Sequence, residues 1–97
     1  MIRSFRGRWA ELIHAERTLP KGFPRIDLIV IARRKLVQLN RAANLRDMSA
    51  PPGNRLESLR GDLAGRYSIR INDQWRIVFR WTSDGPADVE IVDYHQG

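Results

Sequence analysis

The sequence predicts an α+β domain, with two N-terminal helices packed on a twisted antiparallel sheet. Three observations carry this. Apolar residues recur every three or four positions before residue 44, and they alternate every second position after residue 65. The stretch between holds Pro51, Pro52 and Gly53, which suits a connection and neither kind of element. Helical periodicity first and strand periodicity afterwards is the order expected of an α+β fold. At 97 residues the chain is expected to form one domain over 1–97.

Taken in order, Met1 to Phe5 reads as a short strand. Gly7 to Arg17 reads as a helix whose apolar side is Trp9, Leu12 and Ile13. Thr18 to Pro24 contains two prolines and a glycine and reads as a loop. Arg25 to Ala43 is the clearest helix. Ile29, Ala32, Leu36, Leu39 and Ala43 fall on one side of it, Pro24 precedes it, and Asp27 suits the positive end of its dipole. Arg33, Arg34, Lys35 and Arg41 fall largely off that side, as a wet surface or as a polyanion-binding stripe.

After the connection, Tyr67, Ile69 and Ile71 alternate with Ser68 and Arg70. Trp75, Ile77, Phe79 and Trp81 alternate with Arg76, Val78 and Arg80. Val89, Ile91 and Asp93 alternate with Glu90, Val92 and Tyr94. Turn signals at Asn72-Asp73 and Ser83 to Pro86 join these runs into a three-strand meander. The aromatic and aliphatic side of the sheet is expected to meet the helices. The other side carries Arg70, Arg76 and Arg80 with Ser68 and Tyr94. It is expected to be open, because burying unpaired cations costs several kcal/mol each.

The formal charge is +6, and fifteen of the seventeen basic residues are arginine. Arginine's planar fork matches phosphate oxygens in pairs. Residues 1–50 hold eleven bases and four acids, while residues 51–97 hold six bases and seven acids. The basic half is expected to face a polyanion; an acidic protein partner would be served as well. No cysteine is present, which excludes disulfides and zinc–thiolate sites. No apolar run approaches the roughly 18–20 residues of a membrane span. Met1 to Arg6 has no apolar segment behind its charges, so a cytoplasmic protein with no membrane role is expected.

The chemistry narrows by exclusion. There is no Walker loop and no GxGxxG, and no serine stands in a nucleophile-elbow motif. His14 and His95 are far apart with no carboxylate cluster between them, so neither a metal nor another cofactor is expected. Metal-independent acid–base chemistry remains, and RNA suits it because its own 2′-hydroxyl can attack the adjacent phosphate. Such a reaction needs a base, cations for the developing charge, and an acid for the leaving 5′-oxygen. His95 is a candidate acid or base, with Asp93 and Tyr94 beside it. Arg60, Arg76 and Arg80 are candidates to hold the phosphate. Each also has a plain structural reading, as a strand cap, an edge aromatic or a solvated arginine.

Read together, four stretches resemble the HigB branch of the RelE toxin superfamily. They are Arg55-Leu56-Glu57-Ser58-Leu59-Arg60-Gly61-Asp62, Gly65 to Asn72, Trp75-Arg76-Ile77-Val78-Phe79 and Val92-Asp93-Tyr94-His95. Met1 to Phe5 is also similar, and the helical region matches in layout. The resemblance implies a toxin that cuts mRNA in the ribosomal A site without metal. It implies inhibition by a HigA-like helix-turn-helix antitoxin, and operator binding by the pair through that antitoxin. It implies cleavage roles for Asp93, Tyr94 and His95, and a clamp on the scissile phosphate by Arg60 and Arg76. In this reading Tyr94 positions a base, and Arg33, Arg34, Lys35 and Arg41 dock on ribosomal RNA, while Arg70 and Arg80 add contacts from the sheet. Some relatives carry His-Pro where this chain has Glu57-Ser58, so Glu57 is either a substitute base or a bystander. The competing reading is a non-catalytic basic RNA- or DNA-binding module or an attenuated toxin-like protein.

Overall fold

The computed structural model describes residues 1–15, 23 and 25–93. Two helices, α1 (Trp9–Ala15) and α2 (Ile29–Arg41), precede four strands: β1 (Glu57–Ser58), β2 (Arg66–Arg70), β3 (Trp75–Thr82) and β4 (Gly85–Asp93). The strands form one antiparallel sheet in the order β1-β2-β3-β4. The fold is therefore α+β, as the change of period implies. The expected meander gains a strand, because Glu57 pairs with Ser68 and Ser58 with Tyr67. Two residues carry no readable periodicity, so β1 leaves no signature in the sequence.

One side of the sheet makes the core. Ile69, Ile71, Trp75, Ile77, Phe79, Val89 and Ile91 are buried against Ala10 and Ile13 of α1 and Ile29, Ala32, Leu36 and Leu39 of α2. Each fully buried aliphatic or phenylalanine side chain contributes about 1.5–3 kcal/mol. Trp9, Phe23 and Trp75 meet edge to face, with centroids 5.2, 5.3 and 5.8 Å apart, in the geometry aromatic quadrupoles favour.

The helix bounds are tighter than the periodicity suggests. A 3₁₀ turn, Ile26–Leu28, occupies the first part of the expected long helix, which ends at Arg41 and leaves Ala43 exposed. The stop is built by Asn44 and Asp47. Asp47 Oδ2 accepts from Ala43 N (2.8 Å) and Asn44 N (3.2 Å), and Asn44 Oδ1 accepts from Asp47 N. Such a reciprocal cap is worth about 1 kcal/mol and commits the chain to a new turn. The first helix starts at Trp9, with Gly7 and Arg8 before it; residues 16 and 17 lie outside the described residues.

The hairpins form where expected. Asn72 Oδ1 accepts from Gln74 N (2.9 Å) and Trp75 N (2.7 Å), closing the β2–β3 turn. At the β3–β4 turn Gly85 has φ +124°, and a Cβ there would lie 2.5 Å from the Met1 carbonyl oxygen, so a side chain is excluded. The N-terminal segment is extended and makes a single parallel bridge, Phe5 with Val89, where a short strand was expected. The cause is a bulge in β4. The register steps from Val78↔Glu90 to Arg80↔Ala87, with Asp88 at φ +51°. The extra residue bends the edge and limits the ladder beside it.

Two cations do not lie where periodicity places them. Lys35, expected on the wet side of α2, is 7% exposed. Arg76, expected on an open sheet face, is 8% exposed. Both are accounted for by hydrogen bonds described below.

Candidate active site on the arginine face of the sheet

The pleat places Arg66, Ser68, Arg70, Arg76, Val78 and Arg80 on the side opposite the core, because Ile69, Ile77 and Phe79 take the other parity. Two like-charge pairs stand directly across from each other there, Arg70↔Arg76 and Arg66↔Arg80. Like charges in that position destabilise a sheet. Acceptors inserted beside them offset the repulsion.

Arg76 is held by polar groups. Its Nε donates to Ser68 Oγ at 2.8 Å, and Nη2 donates to the Arg55 carbonyl at 2.6 Å. Nη1 lies 3.9 Å from Glu57 Oε1, whose side chain is about half exposed. Ser68 is fully buried. The Arg55 carbonyl is presented by the turn Pro52–Asn54 and by Arg55 itself in the left-handed region at φ +45°. That turn is anchored from below, where buried Asn54 donates from Nδ2 to the Met48 carbonyl at 3.1 Å. The connection between helices and sheet thus fixes one guanidinium beside one carboxylate.

Lys35 supports the same region from α2. Its Nζ donates to the Gly53 carbonyl at 3.3 Å and, over a short contact, to the Arg70 carbonyl. Burial is the main force holding its pKa below the usual lysine value, and Arg34, Arg70 and Arg76 add to the effect.

The second like-charge pair is handled differently. Arg80 Nε donates to Asp88 Oδ2 at 2.7 Å, and Arg66 Nη2 lies 4.0 Å from the same carboxylate. Ser4 Oγ accepts from Asp88 N at 2.8 Å and donates to Oδ1. The Arg80 hydrogen bond is the main cause holding the Asp88 carboxyl below the usual range. Asp73 is lowered likewise by Arg70, which bonds to it across the hairpin.

The remaining candidates are spread. Asp93 pairs with Trp75, and Val92 pairs with Arg76. Asp93 therefore takes the core-side parity and accepts from Gln74 Nε2 at 3.0 Å. Arg60 is exposed at the start of the turn Gly61–Leu63. The β1–β2 register sets Arg60 at the Arg66 end of β2, with Arg76 at the Arg70 end. Those ends are roughly 13 Å apart at 3.3 Å per residue. Tyr94 and His95 lie outside the described residues. Arg33 ties the helices together through its Nε and the Ile13 carbonyl at 2.9 Å, while Arg34 and Arg41 are exposed.

Sequence reasoning passed over Ser68 as a partner for Arg76, and also Arg55, Arg66 and Asp88. Ser68 and Arg66 share the parity of Arg76, so the alternation could have flagged both. Asp88 could not be placed, because the bulge shifts its register.

The sequence matches the family model described as RelE-like toxin of type II toxin-antitoxin system HigB, over residues 5–95. It is 35% identical over 100 residues to Toxin HigB-1 of Vibrio cholerae serotype O1, covering 99% of each chain. It is also 33% identical over 58 residues to an uncharacterised protein of Haemophilus influenzae, covering 60% of this chain and 57% of that one. Among the described residues no helix is long and apolar enough to cross a membrane. The family match over nearly the whole sequence, on an α+β fold with an arginine-bearing sheet face, makes this chain a member of the HigB family of RelE-like type II toxins.

Proposed function

We propose that this toxin is a metal-independent endoribonuclease that cuts mRNA on the ribosome, with the arginine face of the sheet as its RNA-binding side. The observation that carries the reading is the fixed Arg76 guanidinium beside Glu57, on a face that also bears Arg66, Arg70 and Arg80.

In this mechanism the RNA 2′-hydroxyl attacks the adjacent phosphorus and the 5′-oxygen leaves, giving a 2′,3′-cyclic phosphate. Arg76 stabilises the charge that builds on the phosphorane oxygens. Its position is set before substrate arrives, which is where electrostatic catalysis gains most. Glu57 is the proposed acceptor of the 2′-hydroxyl proton, a role supported by its exposure and its nearness to Arg76. His95, as an imidazole, is the proposed donor of a proton to the leaving oxygen; Asp93 orients it and Tyr94 positions a base. Arg60 lies toward the far end of β2, which suits contact with a neighbouring phosphate rather than the scissile one. Arg70 and Arg80 extend the cationic track. The protein works in the cytoplasm, and a HigA-like antitoxin restrains it and carries the pair to operator DNA.

The test uses purified toxin, freed of bound metal beforehand, with programmed ribosomes and mRNA in the magnesium buffer that ribosomes require. The expected result is cleavage within the A-site codon, leaving cyclic phosphate ends, only when ribosomes are present. Intact mRNA under these conditions, with toxin folded by circular dichroism, contradicts the reading.

A further inference from the structure

The outermost line of α2 is not the surface of a solvated helix. At 100° per residue, Val30, Arg34, Val37 and Arg41 lie within about 60° of one another. The buried residues Ile29, Ala32, Leu36 and Leu39 occupy the opposite side. Val30 is 72% exposed, and Ile26, one turn earlier, is 66% exposed. Val37 is partly exposed, and Arg34 and Arg41 are exposed. Neither arginine is ion-paired among the described residues.

Valine has no local reason to stand there. It is a weaker helix former than lysine, glutamate or glutamine, which fill such positions when water is the only neighbour. The spacing of four, three and four is that of a helix–helix seam, in which a partner helix lies along one line of side chains. Aliphatic side chains offer nothing to RNA, which has phosphates for cations and bases for aromatic faces. A second copy of this chain would bring the same +6 charge against itself. A protein helix with apolar residues opposite Val30 and Val37, and acidic ones opposite Arg34 and Arg41, satisfies the whole line. A type II toxin has such a protein partner in its antitoxin.

We infer that the Val30–Arg34–Val37–Arg41 line of α2 is a docking seam for an acidic amphipathic helix of the antitoxin. The seam assigns Arg34 and Arg41 to the antitoxin rather than to ribosomal RNA. This inference rests on family membership and not on the cleavage mechanism.

The test measures the affinity of the cognate antitoxin for purified toxin by calorimetry. Val30→Glu and Arg34→Glu each should weaken binding about tenfold or more, and Val30→Ala about threefold, since each tenfold step is 1.4 kcal/mol. Melting temperatures should match wild type because these side chains face solvent. Growth arrest by the Val30 variants expressed without antitoxin should be unchanged. Antitoxin affinity within twofold of wild type in the folded glutamate variants overturns the seam. So does growth arrest lost with antitoxin binding kept, which assigns the line to the toxin's target. A Val30-dependent toxin dimer with unaltered antitoxin affinity overturns it in favour of self-association. Val30→Ala and Arg34→Gln keep the comparison if a glutamate variant misfolds. Failure of the wild-type protein to cleave mRNA would sink the proposed function and leave these affinities to be read independently.

Discussion

Arg76 and Arg80 sit on the same strand, on the same side, four residues apart, and the protein treats them in different ways. Arg76 is 8% exposed, fixed by a buried serine hydroxyl and a main-chain carbonyl, with Glu57 near it. Arg80 is 46% exposed and bonded to Asp88. The difference teaches that burial, more than charge, separates a positioned cation from a surface one. A guanidinium anchored by a buried hydroxyl and a main-chain carbonyl keeps those two contacts when a phosphate arrives. An exposed ion pair is screened, contributes little to stability, and must exchange partners to bind RNA.

The comparison breaks most readily at Arg76. Arg76→Ala should reduce cleavage about 30- to 150-fold, equivalent to roughly 2–3 kcal/mol of charge-assisted contact. It should also lower stability by about 1–3 kcal/mol, because buried Ser68 and the Arg55 carbonyl lose their donor. Arg76→Lys should restore little of the activity, since an ammonium cannot reach both acceptors at once. Rate assays alongside urea unfolding separate the two effects.

Lys35→Met removes the second buried cation, which is held by two main-chain carbonyls. The Gly53 and Arg70 carbonyls lose a donor, so stability should fall by about 1–2 kcal/mol, with part of the loss offset by relief of ammonium burial. The pH dependence follows from the lowered pKa. Between the folded value and 10.5 the unfolded chain binds more protons than the native one. Stability from this group therefore rises as pH is raised through that window toward 10.5. The difference between wild type and Lys35→Met, followed by thermal unfolding at stepped alkaline pH, should show that rise.

Asp88→Asn should have the smallest effect on cleavage. Its carboxyl is lowered from 3.8 chiefly by Arg80, so its contribution is present above 3.8 and is lost as pH falls through the lower folded value. The acid limb of the unfolding profile should flatten in Asp88→Asn, while activity at neutral pH stays near wild type. A large loss of activity would place Asp88 in the RNA site.

The elements were legible and the environments only partly so. Ile29, Ala32, Leu36 and Leu39 announce α2, and alternation through Ile69, Ile77 and Phe79 announces the meander, because both follow from the fixed periods of helix and strand. Parity likewise puts Arg76 on the side away from the core. It does not show that the turn at Pro52–Asn54 swings a carbonyl over that side, since contacts between distant segments have no local signature. Lys35 was misplaced for a similar reason. It neighbours the apolar stripe, and its long stem carries the ammonium to two carbonyls instead of to water. The bulge at Asp88 hides its ion pair from any count by twos. The register sets Asp93 on the core-side parity and Arg60 at the Arg66 end of β2, neither of which a count by twos within one strand reveals.

The most direct measurement compares Arg76→Ala with Arg80→Ala in the ribosome-dependent cleavage assay, with both proteins shown to be folded. Arg76→Ala should lose nearly all cutting and Arg80→Ala should keep most of it. Equal losses in the two variants, or wild-type cutting by Arg76→Ala, would contradict the claim that a buried, fixed guanidinium organises the site.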